Sequence, residues 1–288
     1  MRVSPWPKFL LAGSAAITAS LATAPASATH AWDGLHWARI GTLNIRLADD
    51  VSSIWEPYLA TASADWTKST PIDTTVIQGY RNPYYCNPTF GRVEVCSYRY
   101  GSTGWLGIAQ VWTSSGHVVQ AIVAINDTYY ALAKYNTPAW RRMVMCQEIG
   151  HTFGLDHQDE NKLNANLGTC MDYTSDPSGT LGTNGTLSNE HPNAHDYDEL
   201  RIIYGHNDGW QLSSTRATTT TPFGANSVAE QITQNHMPPS VQVPPASQRE
   251  WGLGVAADRK GRGRVFVRRL SQGVDQTTFV TWVDPEDR

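Results

Sequence analysis

The stretch Cys146-Gln147-Glu148-Ile149-Gly150-His151-Thr152-Phe153-Gly154-Leu155-Asp156-His157 sets a carboxylate, two imidazoles and a glycine in an order suited to holding a zinc ion beside a base. On a helix, Gln147 and His151 are i and i+4 and share a face, and Glu148 borders that face three residues before His151. Gly154 can adopt a left-handed conformation that ends the helix. The chain then turns back and brings His157 toward His151. Neutral imidazoles are good zinc ligands, and a nearby carboxylate can take a proton from water polarised by the metal.

The same residues, with Cys170-Met171-Asp172-Tyr173 downstream, resemble the metzincin zinc peptidases, whose pattern is H-E-x-x-H-x-x-G-x-x-H followed by a Met-turn. Glu148, His151, Gly154 and His157 match it, and Gln147 stands in place of the first histidine. The resemblance implies an α/β fold of the α+β kind. In that fold a twisted mixed sheet backs the active-site helix, and a further helix closes the domain after the Met-turn. It also implies Zn2+ held by His151, His157 and the amide oxygen of Gln147, with Met171 beneath the metal. Glu148 is then the general base and Tyr173 a donor to the developing oxyanion. The activity implied is that of a secreted zinc-dependent metalloendopeptidase acting on a protein or peptide substrate. A second reading keeps the fold as a non-catalytic binding or structural module that has lost a zinc ligand. In a third, another histidine completes the site; His117, His191 and His195 are available but lack supporting spacing.

The elements that must position these residues lie in an exported chain. Arg2 and Lys8 precede an apolar run over residues 9–21, and Ala26-Ser27-Ala28 reads as a cleavage site, so residues 1–28 are expected to be a signal peptide. The run is too short to span a bilayer comfortably, so the mature protein is expected to be extracellular and free of the membrane. Removal of residues 1–28 leaves 20 basic against 26 acidic side chains, a net charge of −6. That is the wrong sign for a general nucleic-acid binder. A monomer is expected.

Four cysteines in an exported chain allow two disulfides in three pairings. In the nearest-neighbour pairing, Cys86 and Cys96 close a hairpin, while Cys146 and Cys170 tie the candidate helix to the Met171 turn. Free buried thiols or another pairing remain open.

Along the chain, strands are expected at residues 43–47, 73–77, 92–98, 104–112 and 117–125. A helix is expected over residues 52–69, capped by Ser52 or Ser53, with Ile54, Tyr58, Ala62 and Trp66 on one face. Thr137 and Pro138 start the helix that carries the motif. Asp159 and Glu160 read as a solvated loop rather than a calcium site. A closing helix spans residues 192–205, capped by Asn193, with Tyr197, Leu200, Ile203 and Tyr204 toward the core. The candidate domain thus covers residues 29–210. Residues 211–248 are expected to be a threonine- and proline-rich linker, and residues 249–288 a small β-rich extension that reads as a solvated hairpin rather than a binder of acidic surfaces.

Overall fold

The computed structural model describes residues 29–209, 247–271 and 273–287, together with residues 1 and 245. The expected signal peptide and nearly all of the expected linker lie outside the described residues. Among the described residues, no helix is long and apolar enough to cross a membrane.

The architecture is mixed α+β. Among the described residues, eight strands form one sheet in the order β2-β1-β3-β5-β4-β8-β7-β6. The strands are β1 (Leu43–Asp50), β2 (Ile72–Gln78), β3 (Val93–Tyr98), β4 (Trp105–Ser114), β5 (His117–Asn126), β6 (Leu253–Ala257), β7 (Gly263–Ser271) and β8 (Val274–Trp282). The helices are α1 (Glu56–Trp66), α2 (Pro138–His151) and α3 (Ala194–Ile203). The first four strands in chain order other than β4 pair in parallel, β1 with β2 and β3, and β3 with β5. From β4 onward every pairing is antiparallel. Strands β3, β4 and β5 are buried along almost their whole length, as expected of strands covered on both faces.

Two expectations change here. Helix α1 starts later than residue 52: Trp55 is its N-cap without a side-chain cap bond, and Pro57 sits in the first turn, where its lack of an N–H costs nothing. Its buried face runs through Trp55, Leu59, Ala62 and Trp66, while Ile54 is exposed. The larger change is at the C terminus. The expected solvated hairpin is instead an integral part of the sheet, with β8 paired antiparallel to β4 from Trp105↔Trp282 to Ser114↔Val274. Phe279 and Val280 of β8 are fully buried, so this strand fills core rather than facing water. Ion pairs hold its end in place, Lys134 with Asp284 and Asp287 and Lys162 with Asp284.

Two disulfides form in the nearest-neighbour pairing, Cys86–Cys96 and Cys146–Cys170. The second joins α2 to the Met171 turn.

A buried carboxyl at the end of β1 gives a measurable pH dependence. Asp50 Oδ1 accepts the Arg81 backbone N–H at 2.7 Å. Burial lifts the Asp50 carboxyl to about 7, the Arg81 N–H opposing and the Glu94 charge adding to the rise. A carboxyl raised in the folded state contributes stability below its unfolded value of 3.8, and that contribution is lost as pH rises through about 7. Asp50→Asn carries no such titration. Its stability relative to wild type should therefore improve between about pH 4 and pH 7. Urea midpoints across this range test it, and a constant difference between the two proteins would show that Asp50 does not titrate there.

Candidate metal centre

Helix α2 starts as its sequence dictates. The Thr137 hydroxyl accepts the Trp140 N–H at 3.3 Å, and Pro138 occupies the first helical position. The helix runs to His151, and the chain turns at Gly154, where φ is +97°. A side chain at Gly154 is excluded on two counts, since its Cβ would also lie 1.8 Å from the Leu35 carbonyl oxygen. After the turn, Gln158 N–H donates to the Met171 carbonyl at 2.6 Å, and Tyr173 N–H to the Asp159 carbonyl at 2.9 Å. The His157 segment and the Met171 turn are therefore laced together.

This brings His151 and His157 to one point. Their Nε2 atoms lie 3.2 Å apart, both rings are buried, and the ring planes meet at 80°. The His151 Nδ1–H donates to the Leu155 carbonyl at 2.8 Å, which leaves Nε2 with a lone pair. The His157 Nδ1 lies 3.4 Å from the Asp156 carboxylate, so its Nε2 also points at the shared position. Burial lowers both imidazoles, and for His151 the neighbouring His157 lowers it further. Two buried ring nitrogens 3.2 Å apart match the donor spacing of a tetrahedral zinc site, where bonds of about 2.0–2.1 Å put donor atoms roughly 3.3 Å apart. The residues present fit the metal.

Glu148, on the same helix as His151, is fully buried, and neither carboxylate oxygen makes a hydrogen bond. Burial pushes its carboxyl up to about 8, with the Thr281 hydroxyl pulling the other way. The carboxylate reaches this position because Gly107 interrupts β4: a Cβ there would lie 2.7 Å from Glu148 Oε1. An isolated glycine inside a strand is a sign of such close approach, and it was the sequence signal available for this contact. An ionised carboxylate without a partner is costly in a low-dielectric setting, and a dication beside it offsets that cost.

Gln147 shares the helix with these groups, and its Oε1 accepts the Thr281 hydroxyl at 3.2 Å. An amide oxygen has two acceptor positions, so this bond orients the carbonyl while leaving one position for a metal. Met171 is fully buried under α2, and a Cβ at Gly150 would lie 2.7 Å from its Sδ. Tyr173 packs its ring against His157 at 4.3 Å, and its hydroxyl donates to the Val280 carbonyl at 3.4 Å. Burial holds the phenol well above its usual range, so it remains an O–H donor.

Apart from Gly107, the residues absent from the sequence reading come from the C-terminal strands. Phe279 of β8 stacks on His151 with centroids 4.5 Å apart and planes 6° from parallel. Thr281 bonds Gln147, and Val280 accepts from Tyr173. Arg264 of β7 grips Asp156 through Nη1–Oδ1 at 2.6 Å and Nη2–Oδ2 at 3.2 Å, and reaches Glu160 at 2.6 Å. Burial works against ionisation of Asp156, but the bonds from His157 and Arg264 hold its carboxyl well below the usual range. The only sequence signal for β8 was the short apolar run over residues 278–283, which periodicity alone does not place in a core.

The other histidines considered from sequence lie in other clusters. His117 pairs with Asp208 and His191 with Asp65, while His195 stacks on His30. Glu160, considered for calcium, is engaged by Arg264, and Asp159 Oδ1 accepts the Asn161 N–H.

No protein-family model matches the chain, and no curated protein matches it. Among solved structures, the chain is similar to high choriolytic enzyme 1, a hatching enzyme zinc-protease from Oryzias latipes (medaka fish). Identity is 11% and the TM-score 0.33, over 59% of this chain and 94% of that one. A likeness of this size adds no weight to the geometry above.

Proposed function

We propose that the chain is a secreted zinc-dependent peptidase whose site is closed by its own strand β8. The observation that carries this reading is the convergence of His151 Nε2 and His157 Nε2 at 3.2 Å, on and just after the helix that also carries the buried carboxyl of Glu148. His151, His157 and the Gln147 amide oxygen are the residues to hold the ion. When bound, zinc supplies Lewis-acid polarisation of the scissile carbonyl and lowers the pKa of water nearby. Glu148 accepts the proton from the attacking water and passes it to the leaving amine. Its environment suits that task, since a base lifted toward neutrality takes a proton readily at working pH. The Leu155 carbonyl orients His151 through Nδ1, while Asp156 accepts the His157 backbone N–H and lies 3.4 Å from its Nδ1. The two disulfides suit an oxidising, extracellular compartment.

Phe279 covers His151, and the Tyr173 hydroxyl is bonded to β8, so a substrate reaches these groups only when β8 has moved aside. An extended peptide would then pair with β4 where β8 now lies, by strand addition. The same coverage favours a second reading, a non-catalytic module in which the leftover site is permanently filled by β8.

Zinc titration of the purified full chain tests the ligand set. Wild type should bind zinc, and His157→Ala should weaken binding at this site by at least 10-fold. Gln147→His should tighten it, because an imidazole is a stronger donor to zinc than an amide oxygen. If Gln147→His binds no better than wild type, residue 147 does not face the metal.

A further inference from the structure

We infer that His30, His195 and Glu199 form a second metal site, taking a transition-metal dication of the zinc type. It lies where the N-terminal segment crosses α3, and it does not depend on the peptidase reading. One ligand atom from each of the three residues lies within 4.8 Å of the others. His195 and Glu199 are i and i+4 on α3 and so share a face, while His30 comes from a segment 165 residues earlier in the chain.

The hydrogen bonding around His30 is that of a metal ligand. Its Nε2 bonds Asp196 Oδ1 at 3.1 Å, and Asp196 is itself fixed by the Thr169 hydroxyl and the Asn193 backbone N–H. A carboxylate on one ring nitrogen selects the tautomer whose other nitrogen carries the lone pair. That other nitrogen, Nδ1, is buried, has no hydrogen-bond partner, and lies 3.9 Å from Glu199 Oε2. The His195 Nδ1 is likewise buried without a partner, and the two rings stack at 4.9 Å. Two orphaned imidazole nitrogens beside a buried carboxylate are poorly explained as packing, because each buried polar atom left unpaired costs free energy. The charge points the same way. Asp196 and Glu199 are both buried, and their only ion pairs among the described residues are with His30. A dication would balance them.

Imidazole with carboxylate is a donor set for zinc and its neighbours rather than for calcium or magnesium. Donor atoms around zinc sit roughly 3.3 Å apart, so ligand atoms within 4.8 Å of one another must close by up to about 1.5 Å. The site would tie three segments together. The His30 carbonyl accepts the Asp156 N–H next to His157, Ala31 bridges Leu155, and Thr29 donates its hydroxyl to Glu199 Oε1. A metal here would brace the loop that carries His157.

The test uses the full chain stripped with a chelator, titrated with Zn2+ alone and assayed for bound zinc after desalting. Wild type should hold two equivalents. His195→Ala and Glu199→Gln should each hold one, and so should His151→Ala/His157→Ala, whose remaining equivalent reports on the new site alone. In that double variant, zinc at about 100 times its Kd should raise Tm by roughly 5–10 °C, and adding Glu199→Gln should remove the rise. Loss of one equivalent in His195→Ala supports the site even where His151→Ala/His157→Ala changes nothing, which would sink only the peptidase ligand set. If His195→Ala and Glu199→Gln both retain the wild-type zinc content, there is no metal at His30, His195 and Glu199. His195 is partly exposed, so its alanine variant tests binding without opening the core.

Discussion

Glu148→Gln should lower peptide hydrolysis by roughly 10²–10⁴-fold, the usual contribution of a positioned general base. Its zinc content should stay that of wild type. The substitution keeps the shape of the side chain and removes only its ability to take a proton. It also removes a carboxyl that burial has lifted to about 8, so the folded protein should not suffer. The position is tightly bounded by Gly107 on β4, and an amide fills the same space as the carboxylate. Zinc content and hydrolysis of an unstructured protein substrate, measured on the same preparations, separate the roles. Loss of activity with metal retained identifies a base. Loss of both would make Glu148 a ligand, and full activity would remove it from the chemistry.

Phe279→Ala should have two large effects of opposite kinds. The ring is fully buried and stacked on His151, so its loss leaves a cavity and should destabilise the fold by about 3–5 kcal/mol. It should also weaken the hold of β8 over His151, so that β8 moves aside more often. If β8 leaves that face only about 1% of the time in wild type, an open site raises turnover by up to about 100-fold, because apparent activity scales with the competent fraction. Denaturant midpoints and peptide hydrolysis on the same variant check both effects. A less stable protein that cleaves faster identifies β8 as a removable cover. A less stable protein that still cleaves nothing supports the non-catalytic reading, with Phe279 as ordinary core.

Much of the candidate site was legible because its parts are close in sequence. Thr137 and Pro138 start α2 by capping chemistry, which acts within one turn. Gly154 ends the turn after it, because only glycine both accepts a φ of +97° and leaves room for the Leu35 carbonyl. Helical spacing and that turn are enough to bring His151 and His157, six residues apart, to 3.2 Å. The cysteine pairing was legible in the same way, as each bridge closes a short loop of separation 10 or 24.

Other features were decided by tertiary structure alone. Phe279 meets His151, Thr281 meets Gln147, and His30 meets His195 across 128, 134 and 165 residues. Local periodicity carries no information about such partners. An apolar run such as residues 278–283 satisfies its hydrogen bonds equally well in a free hairpin or beside another strand. What settles its place is the unpaired edge of β4 and the apolar face over α2, which β8 covers by supplying backbone partners and side chains together. The sequence by itself therefore determined a helix, a turn and two converging histidines. Strand pairing in the folded chain decided that these groups sit closed under β8, because only burial of the sheet edge brings that distant segment to them.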